Sequence, residues 1–467
     1  MPDVAQRLPV FKEYVYAWVA REISRATRYY DAVFQWRPVP GDTGYLLSSI
    51  DCGTKGTAAT PDDLPERARD SGSRIAVLVN GNFNTGADIQ EDLQALREGL
   101  GPSGRVVLVA YNPYVAFLYR LADRLGLRSG PPCTTFLTRT DLTNVARLSG
   151  FEITRIRPTA YVPHPLLGLG TLANALLPAI PFLRWFALVN VVTMRPVARA
   201  PRCTSLSVVV PARNEKGNIA DAVQRLPVFG VETELLFVEG HSGDGTWDEI
   251  ERIVAQGGSR VSLRAFRQQG KGKADAVRLG FEKASGEVLT ILDADLTMPP
   301  EKLGRFFDAY RTGCADFVNG TRLVYPMEDD AMRFLNRIAN VFFAKALSFV
   351  LDTPLADSLC GTKLLARHDY DRIRRWNEDF GAFDPFGDFE LLFPASVLGL
   401  RIVDVPIRYS ARTYGSTNIH RFRHGWLLLR MTLIGLFRIR MGTPPRRSPR
   451  RLPSEERDAH GSRSGPA

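Results

Sequence analysis

Residues 206–215 read Leu-Ser-Val-Val-Val-Pro-Ala-Arg-Asn-Glu. An unbroken β-branched run suits a strand buried on both faces of a parallel sheet. Pro211, which has no N–H for a ladder, is expected to stop it. Arg213, Asn214 and Glu215 then stand at the carboxyl end of a strand, the edge where open α/β sheets bind ligands.

The same pattern recurs downstream. Leu235 to Val238 is a second apolar strand, followed by Glu239-Gly-His-Ser-Gly-Asp-Gly-Thr246. Such a turn either offers backbone N–H groups to a nucleotide or is simply a tight passage from strand to helix. A third strand, Val288 to Leu292, runs into Asp293-Ala294-Asp295. An isolated D-x-D is commonly a solvated acidic turn. As the third strand end aimed at one crevice, this pair instead reads as the oxygen donors of a hard divalent cation, Mg²⁺ or Mn²⁺, beside a diphosphate. Gly270-Lys-Gly-Lys273 adds flexible backbone and cations for that diphosphate, with Lys271 the expected contact.

Taken in order, VVVPARNE, VEGHSGDGT, GKGKADAVRLG, LDADL, NGTR (Asn319–Arg322), DSLCGTK (Asp357–Lys363) and ARTYGSTN (Ala411–Asn418) resemble the inverting family 2 glycosyltransferases, especially the polyprenyl-phosphate sugar transferases of the dolichol-phosphate mannose synthase kind. The resemblance spans about Ser205 to Arg440. It implies a glycosyltransferase-A (nucleotide-diphospho-sugar transferase) fold, with Pro211, Arg213, Glu215, Val238 and Glu239 about the nucleotide. It also implies that Asp293, Ala294 and Asp295 hold metal and diphosphate, and that Arg322 and Arg412 meet the donor's phosphates. Gly240 stands where the family usually has an acid, and Asn418 where it has a lysine, so the base of the donor (UDP, GDP or dTDP) stays open.

Departure of the sugar leaves a nucleoside diphosphate whose charge the metal, Arg322 and Arg412 would neutralise. A lipid-phosphate acceptor is already anionic, whereas a hydroxyl acceptor needs a base. The candidate is Asp388 in Gly387-Asp-Phe-Glu-Leu391, which resembles the family's catalytic acidic motif. Glu390 lies about 200° further round a helix, so the two cannot face one atom. The competing reading makes either a charge offsetting a helix dipole.

Residues 74–112 and the stretch to Met194 resemble the later strands of a class I S-adenosylmethionine methyltransferase. This suggests a partial Rossmann-like α/β domain whose cofactor half is lost, because Ile50-Asp-Cys-Gly-Thr-Lys-Gly56 only faintly echoes a glycine loop. S-adenosylmethionine is therefore not an expected cofactor. The expected organisation is 1–194 for this domain, 195–204 a linker, 205–442 the glycosyltransferase and 443–467 a disordered basic tail. Bifunctional methyl and glycosyl transfer, and a scaffold of two degenerate enzyme folds, are the alternatives.

A net charge of +10 fits nucleic acid, a membrane or a phosphorylated substrate, but no nucleic-acid motif accompanies it. Five scattered cysteines without a C-x-x-C pair argue against zinc and disulfides and for a cytoplasmic setting. Charges at Asp3, Arg7, Lys12 and Glu13 leave no apolar stretch for an export signal. Residues 165–194 have the length of a membrane span, yet Gly168, Gly170, Pro178 and Pro181 cut them into pieces. A flap lying on a membrane or a partner is expected instead. Residues 332–351 and 424–441 read as basic apolar helices, suited either to a membrane interface near a lipid acceptor or to a core with snorkelling arginines. The partners expected are thus a sugar nucleotide, a lipid-phosphate or glycan acceptor and a peripheral membrane surface.

Overall fold

The structure is a computed structural model. It describes residues 10–70, 74–85, 88–126, 132–197, 203–257, 260–322, 334–381, 384, 387–408, 410, 412, 414 and 421–441. Asn418, the tail 443–467 and half of the expected linker (198–202) lie outside the described residues.

The N-terminal half is built on a six-stranded sheet of order β2-β1-β3-β4-β6-β5. The strands are β1 Ala32–Trp36, β2 Thr54–Ala58, β3 Ile75–Asn80, β4 Arg105–Tyr111, β5 Phe151–Thr159 and β6 Val189–Pro196. The first four are mutually parallel; β6 runs antiparallel between β4 and β5. Three sequence expectations change here. Two parallel strands, β1 and β2, precede Ile75, where the sequence leads one to expect that half of the sheet to be lost. Gly56 belongs to β2 rather than to a phosphate loop: a Cβ there would stand 2.8 Å from the Phe34 ring, so glycine is needed for strand packing. The boundary expected at 194/195 falls inside β6, and only residues 166–186 of the apolar segment form short helical turns.

The C-terminal half holds a seven-stranded mixed sheet of order β13-β11-β12-β10-β7-β8-β9. Its strands are β7 Ser205–Ala212, β8 Glu232–Glu239, β9 Ser262–Arg267, β10 Val288–Ile291, β11 Phe317–Thr321, β12 Lys363–Ala366 and β13 Ile402–Pro406. β10, β7, β8 and β9 are parallel, and β12 is antiparallel to both neighbours. β7 continues through Pro211, which pairs with Val238, rather than stopping there. Helix Lys273–Lys283 lies on β7 because Gly280 has no side chain: a Cβ would overlap Val209. Each sheet is covered on both faces by its own apolar core.

Buried ions join the halves. Asp316, just before β11, accepts from Arg105 Nη2 at 2.6 Å and Arg195 Nη1 at 2.8 Å. Asp352 accepts from Arg157 at 3.1 Å, Arg440 at 2.6 Å and Arg184 at 3.4 Å. Burial alone would raise both carboxyls; the arginines outweigh it and hold both below the ordinary value.

Candidate functional site

Parallel strands β7, β8 and β10 end on one edge of the sheet, and each is followed by a non-glycine residue in the left-handed region: Asn214 (φ 55°), His241 (φ 60°) and Leu296 (φ 52°). That conformation costs an L-residue about 1–2 kcal/mol. Residues so strained concentrate at functional crevices. The first two loops are stitched together. Ser242 Oγ accepts from Asn214 N at 3.0 Å, Asn214 Oδ1 from Gly243 N at 2.9 Å, and Thr246 Oγ1 from Glu215 N at 3.0 Å. Ser242 N donates to buried Glu239, and Thr246 N to Asp244 at 3.0 Å. The N–H groups of this glycine-rich turn are therefore largely taken within the protein, so here the turn reads as a shaped wall rather than an open anion cradle.

Charges alternate across the crevice. Arg412 donates Nη1 to Glu215 at 3.0 Å and Nη2 to Asp295 at 2.6 Å. Thr297 Oγ1 adds 2.7 Å to the same Asp295 carboxylate. Lys273, the first residue of its helix, donates to Asp293. Lys363, fully buried at the start of β12, donates to Asp388. Burial would raise the Asp293 carboxyl, but Lys273, Lys363 and Arg322 hold it below the ordinary range. Burial raises Glu215 despite Arg412. Lys273, for its part, is desolvated, yet Asp293 and Asp388 push its ammonium upward. Gly361 permits this close approach, since a Cβ there would overlap Lys273 Nζ and the Asp293 carboxylate.

The other residues expected at the site differ in burial and partners. Val238 is fully buried in the core, because side chains alternate along a strand and Glu239 takes the other face. Ala294 is likewise buried among core residues. Lys271 is exposed; Lys273, two residues on, meets the carboxylates. Arg322 forms a fork with buried Asp357, at 2.7 and 3.0 Å. Pro211 is half-buried and Arg213 exposed at the rim. Glu390 is bound by both oxygens to Arg278 at 2.9 and 2.7 Å, away from Asp388, as the helical spacing implied. The N–H groups of Phe389 and Glu390 go to Asp384 at 2.7 and 3.1 Å, while Asp388 makes no side-chain cap bond. The dipole-offsetting reading thus passes to Asp384. Sequence reasoning missed Lys363 and Asp357 as site residues; a lysine opening an apolar strand was the available signal.

The glycosyl transferase family 2 model matches residues 207–374, which span β7 to β12 and include both aspartates of the D-x-D. A dolichyl-phosphate hexose transferase of Haloferax volcanii is 31% identical over 185 residues, 39% of this chain and 74% of that relative. The chain belongs to glycosyltransferase family 2. It is an enzyme of that family, and its seven-stranded mixed sheet is the GT-A-like domain. A low-salt glycan biosynthesis hexosyltransferase of Haloferax volcanii is 27% identical over 49% of this chain, and a dolichol-phosphate mannosyltransferase of Pyrococcus furiosus 24% over 46%. The chain spans 53% and 59% of these two relatives. A solved structure of glucosyl-3-phosphoglycerate synthase from Mycobacterium tuberculosis, in complex with Mn²⁺ and uridine diphosphate, is 19% identical over 52% of this chain and 81% of its own, with a TM-score of 0.37. Among the described residues no three His, Cys, Asp or Glu side chains cluster as a metal site.

Proposed function

We propose that the family 2 domain transfers a hexosyl group, with inversion, from a nucleotide-diphospho-sugar to the phosphate of a polyprenyl-phosphate acceptor. The observation that carries this reading is the charge set at one sheet edge: Asp293, Asp295, Glu215 and Asp388 face Lys273, Arg412 and Lys363. Four carboxylates against three cations would repel an incoming diphosphate unless a divalent cation accompanied it. Two hard oxygen donors at the D-x-D suit Mg²⁺ or Mn²⁺, the remaining ligands coming from the diphosphate and water. Asp293 and Asp295 would hold that ion, which when bound polarises the diphosphate as a leaving group.

The chain's own residues do the rest. Lys273 and Arg412 exchange their internal carboxylates for phosphate oxygens, so they are in place as negative charge develops. Arg322, locked by Asp357, acts as a fixed positive charge behind Asp293. An acceptor phosphate arrives anionic and needs no base, and Lys363 with Asp388 positions it. With a hydroxyl acceptor Asp388 would take the proton, and Glu390 would only support the helix. Turnover in Asp388→Asn is expected to fall with either acceptor, by about 10²-fold or more with a hydroxyl, where the base is lost, and by less with a phosphate, where only positioning is lost; turnover equal to wild type with both would remove Asp388 from the acceptor side.

For the N-terminal half we infer an α/β domain with no methyl transfer. β2 ends in Ala58-Ala59 where a ribose-binding acid is wanted. The next acids are engaged: Asp63 by the Ala59 and Thr60 N–H groups at 2.8 Å each, Asp62 by Arg69 at 2.9 Å. One panel tests both readings. Thermal shift of the full chain with Mn²⁺ and UDP-, GDP- or dTDP-sugars is expected to single out one donor class, with no shift from S-adenosylmethionine. No shift with any donor would sink the first reading, and a shift with S-adenosylmethionine the second.

The association with a membrane expected of the basic helices enters here too. No helix among the described residues is long and apolar enough to cross a bilayer. Helices Phe334–Leu351 and Arg421–Gly435 pack on each other while leaving Phe342 and Trp426 exposed, which supports contact with a lipid surface near the acceptor.

A further inference from the structure

Exposed large apolar side chains are unevenly spread. Among the described residues, 19 of 23 fall on four stretches: 114–125, 166–186, 341–342 and 426–437. Scattered surface leucines need no explanation, but such concentration marks an interaction face. The first two stretches belong to the N-terminal half, the last two to the catalytic half.

Specific bonds make them neighbours. The Tyr114 and Trp185 rings lie 6.1 Å apart, and Asn112 Nδ2 donates to Trp185 O at 2.9 Å. On the other side, Arg440 Nε donates to Pro178 O at 2.7 Å, and Arg184 reaches Asp352 at the end of helix Phe334–Leu351. Residues 166–186 therefore bridge helix Ala116–Arg124 and the apolar helix pair of the catalytic half. Their tip is held out deliberately: Leu166 and Leu167 adopt φ of 45° and 54°, and Leu167 is wholly exposed. A leucine pays in backbone energy for that conformation, and here it gains no internal contact.

Charge identifies the partner. Residues 166–186, 334–351 and 421–441 contain arginine and lysine but no aspartate or glutamate. Lys345 and Arg430 are exposed on two of these elements, and helix Ala116–Arg124 exposes Arg120 and Arg124 beside its single acid, the half-buried Asp123. Leu, Phe and Trp with a clear excess of positive charge match an anionic bilayer interface, where lysine and arginine are drawn to the lipid headgroups.

We propose that the N-terminal half is a membrane seat: helix Ala116–Arg124 and residues 166–186 insert into the interface of an anionic bilayer as one face with the catalytic half's helices. This deepens the lipid-acceptor reading and rests on it only for the direction of the active site. The test is co-sedimentation of the full chain with phosphatidylcholine vesicles, with and without phosphatidylglycerol. Wild type is expected to bind the anionic vesicles, more weakly in high salt. The triple variant Leu167→Glu, Phe182→Glu, Trp185→Glu is expected to lose roughly tenfold or more of that partition, while its hydrolysis of the sugar nucleotide in solution stays unchanged. No vesicle binding by wild type, or undiminished binding by the triple variant, would overturn the seat. So would self-association that the triple variant abolishes without any vesicle binding, which would assign the face to a protein. Wild type that binds vesicles yet moves no sugar to polyprenyl phosphate leaves the seat standing and removes the acceptor reading.

Discussion

Asp295→Asn and Asp293→Asn are each expected to lower sugar transfer by about 10²–10³-fold, the range lost when one preorganised electrostatic contributor is deleted. The two side chains are not equivalent. Asp295 is held by Arg412 and Thr297, and Arg412 also holds Glu215, so removing the Asp295 charge leaves Arg412 one carboxylate to turn to. Asp293 is the carboxylate that Lys273 meets, and its replacement leaves that ammonium with no direct partner among the described residues. Asp293→Asn is therefore the variant expected to lower the unfolding midpoint as well as activity. Activity titrated with Mn²⁺ separates the roles. If the pair holds a cation, either variant needs more Mn²⁺ for half-maximal rate; if it only organises Lys273 and Arg412, the rate falls with the metal requirement unchanged. Transfer within threefold of wild type in both variants would remove the D-x-D from the chemistry.

What could be read in advance follows from the range of each interaction. Strands β7, β8 and β10 were legible because a β-branched run and the polar residues after it are neighbours in sequence. The D-x-D gained weight only as a third such end. Lys271 was preferred to Lys273 because sequence does not show where the turn closes. Gly272, at φ 88°, starts the helix at Lys273 and carries that side chain over Asp293. Lys363 with Asp388, and Arg322 with Asp357, pair across 25 and 35 residues, beyond any local pattern. β1 (Ala-Val-Phe-Gln-Trp) and β2 (Thr-Lys-Gly-Thr-Ala) were missed because five mixed residues carry no strand period. In the apolar segment Gly168, Gly170, Pro178 and Pro181 divide 166–186 into short helical turns, but Val189–Pro196 is a sheet strand, a role that depends on β4 and β5 as partners.

Asp352→Asn is expected to lower the stability of the whole chain by roughly 3–5 kcal/mol, because breaking a buried ion cluster strands its cations. The Asp352 side chain is about 1% exposed and is the shared anion of Arg157 and Arg440, themselves buried, and of Arg184. Nearby Arg155 is pushed down to about 10, chiefly by burial and then by Arg157, so the cluster is already rich in positive charge. Asparagine isolates the charge: Asp352 has φ 55°, a conformation asparagine tolerates and alanine does not. Asp379→Asn is the control; its carboxylate is more exposed and meets Tyr29 and Arg28, so a loss below about 1 kcal/mol is expected. The pH dependence has a definite sign. Asp352 and Asp316 are held below their unfolded value of about 4, so their stabilisation is complete above that pH and drains away as pH falls through the lower folded values. The unfolding midpoint of wild type should therefore be insensitive to these groups near neutrality and fall in acid, and Asp352→Asn should flatten that acid limb. A variant as stable as wild type, with the same acid limb, would mean that apolar packing rather than the arginine clasp joins the two halves.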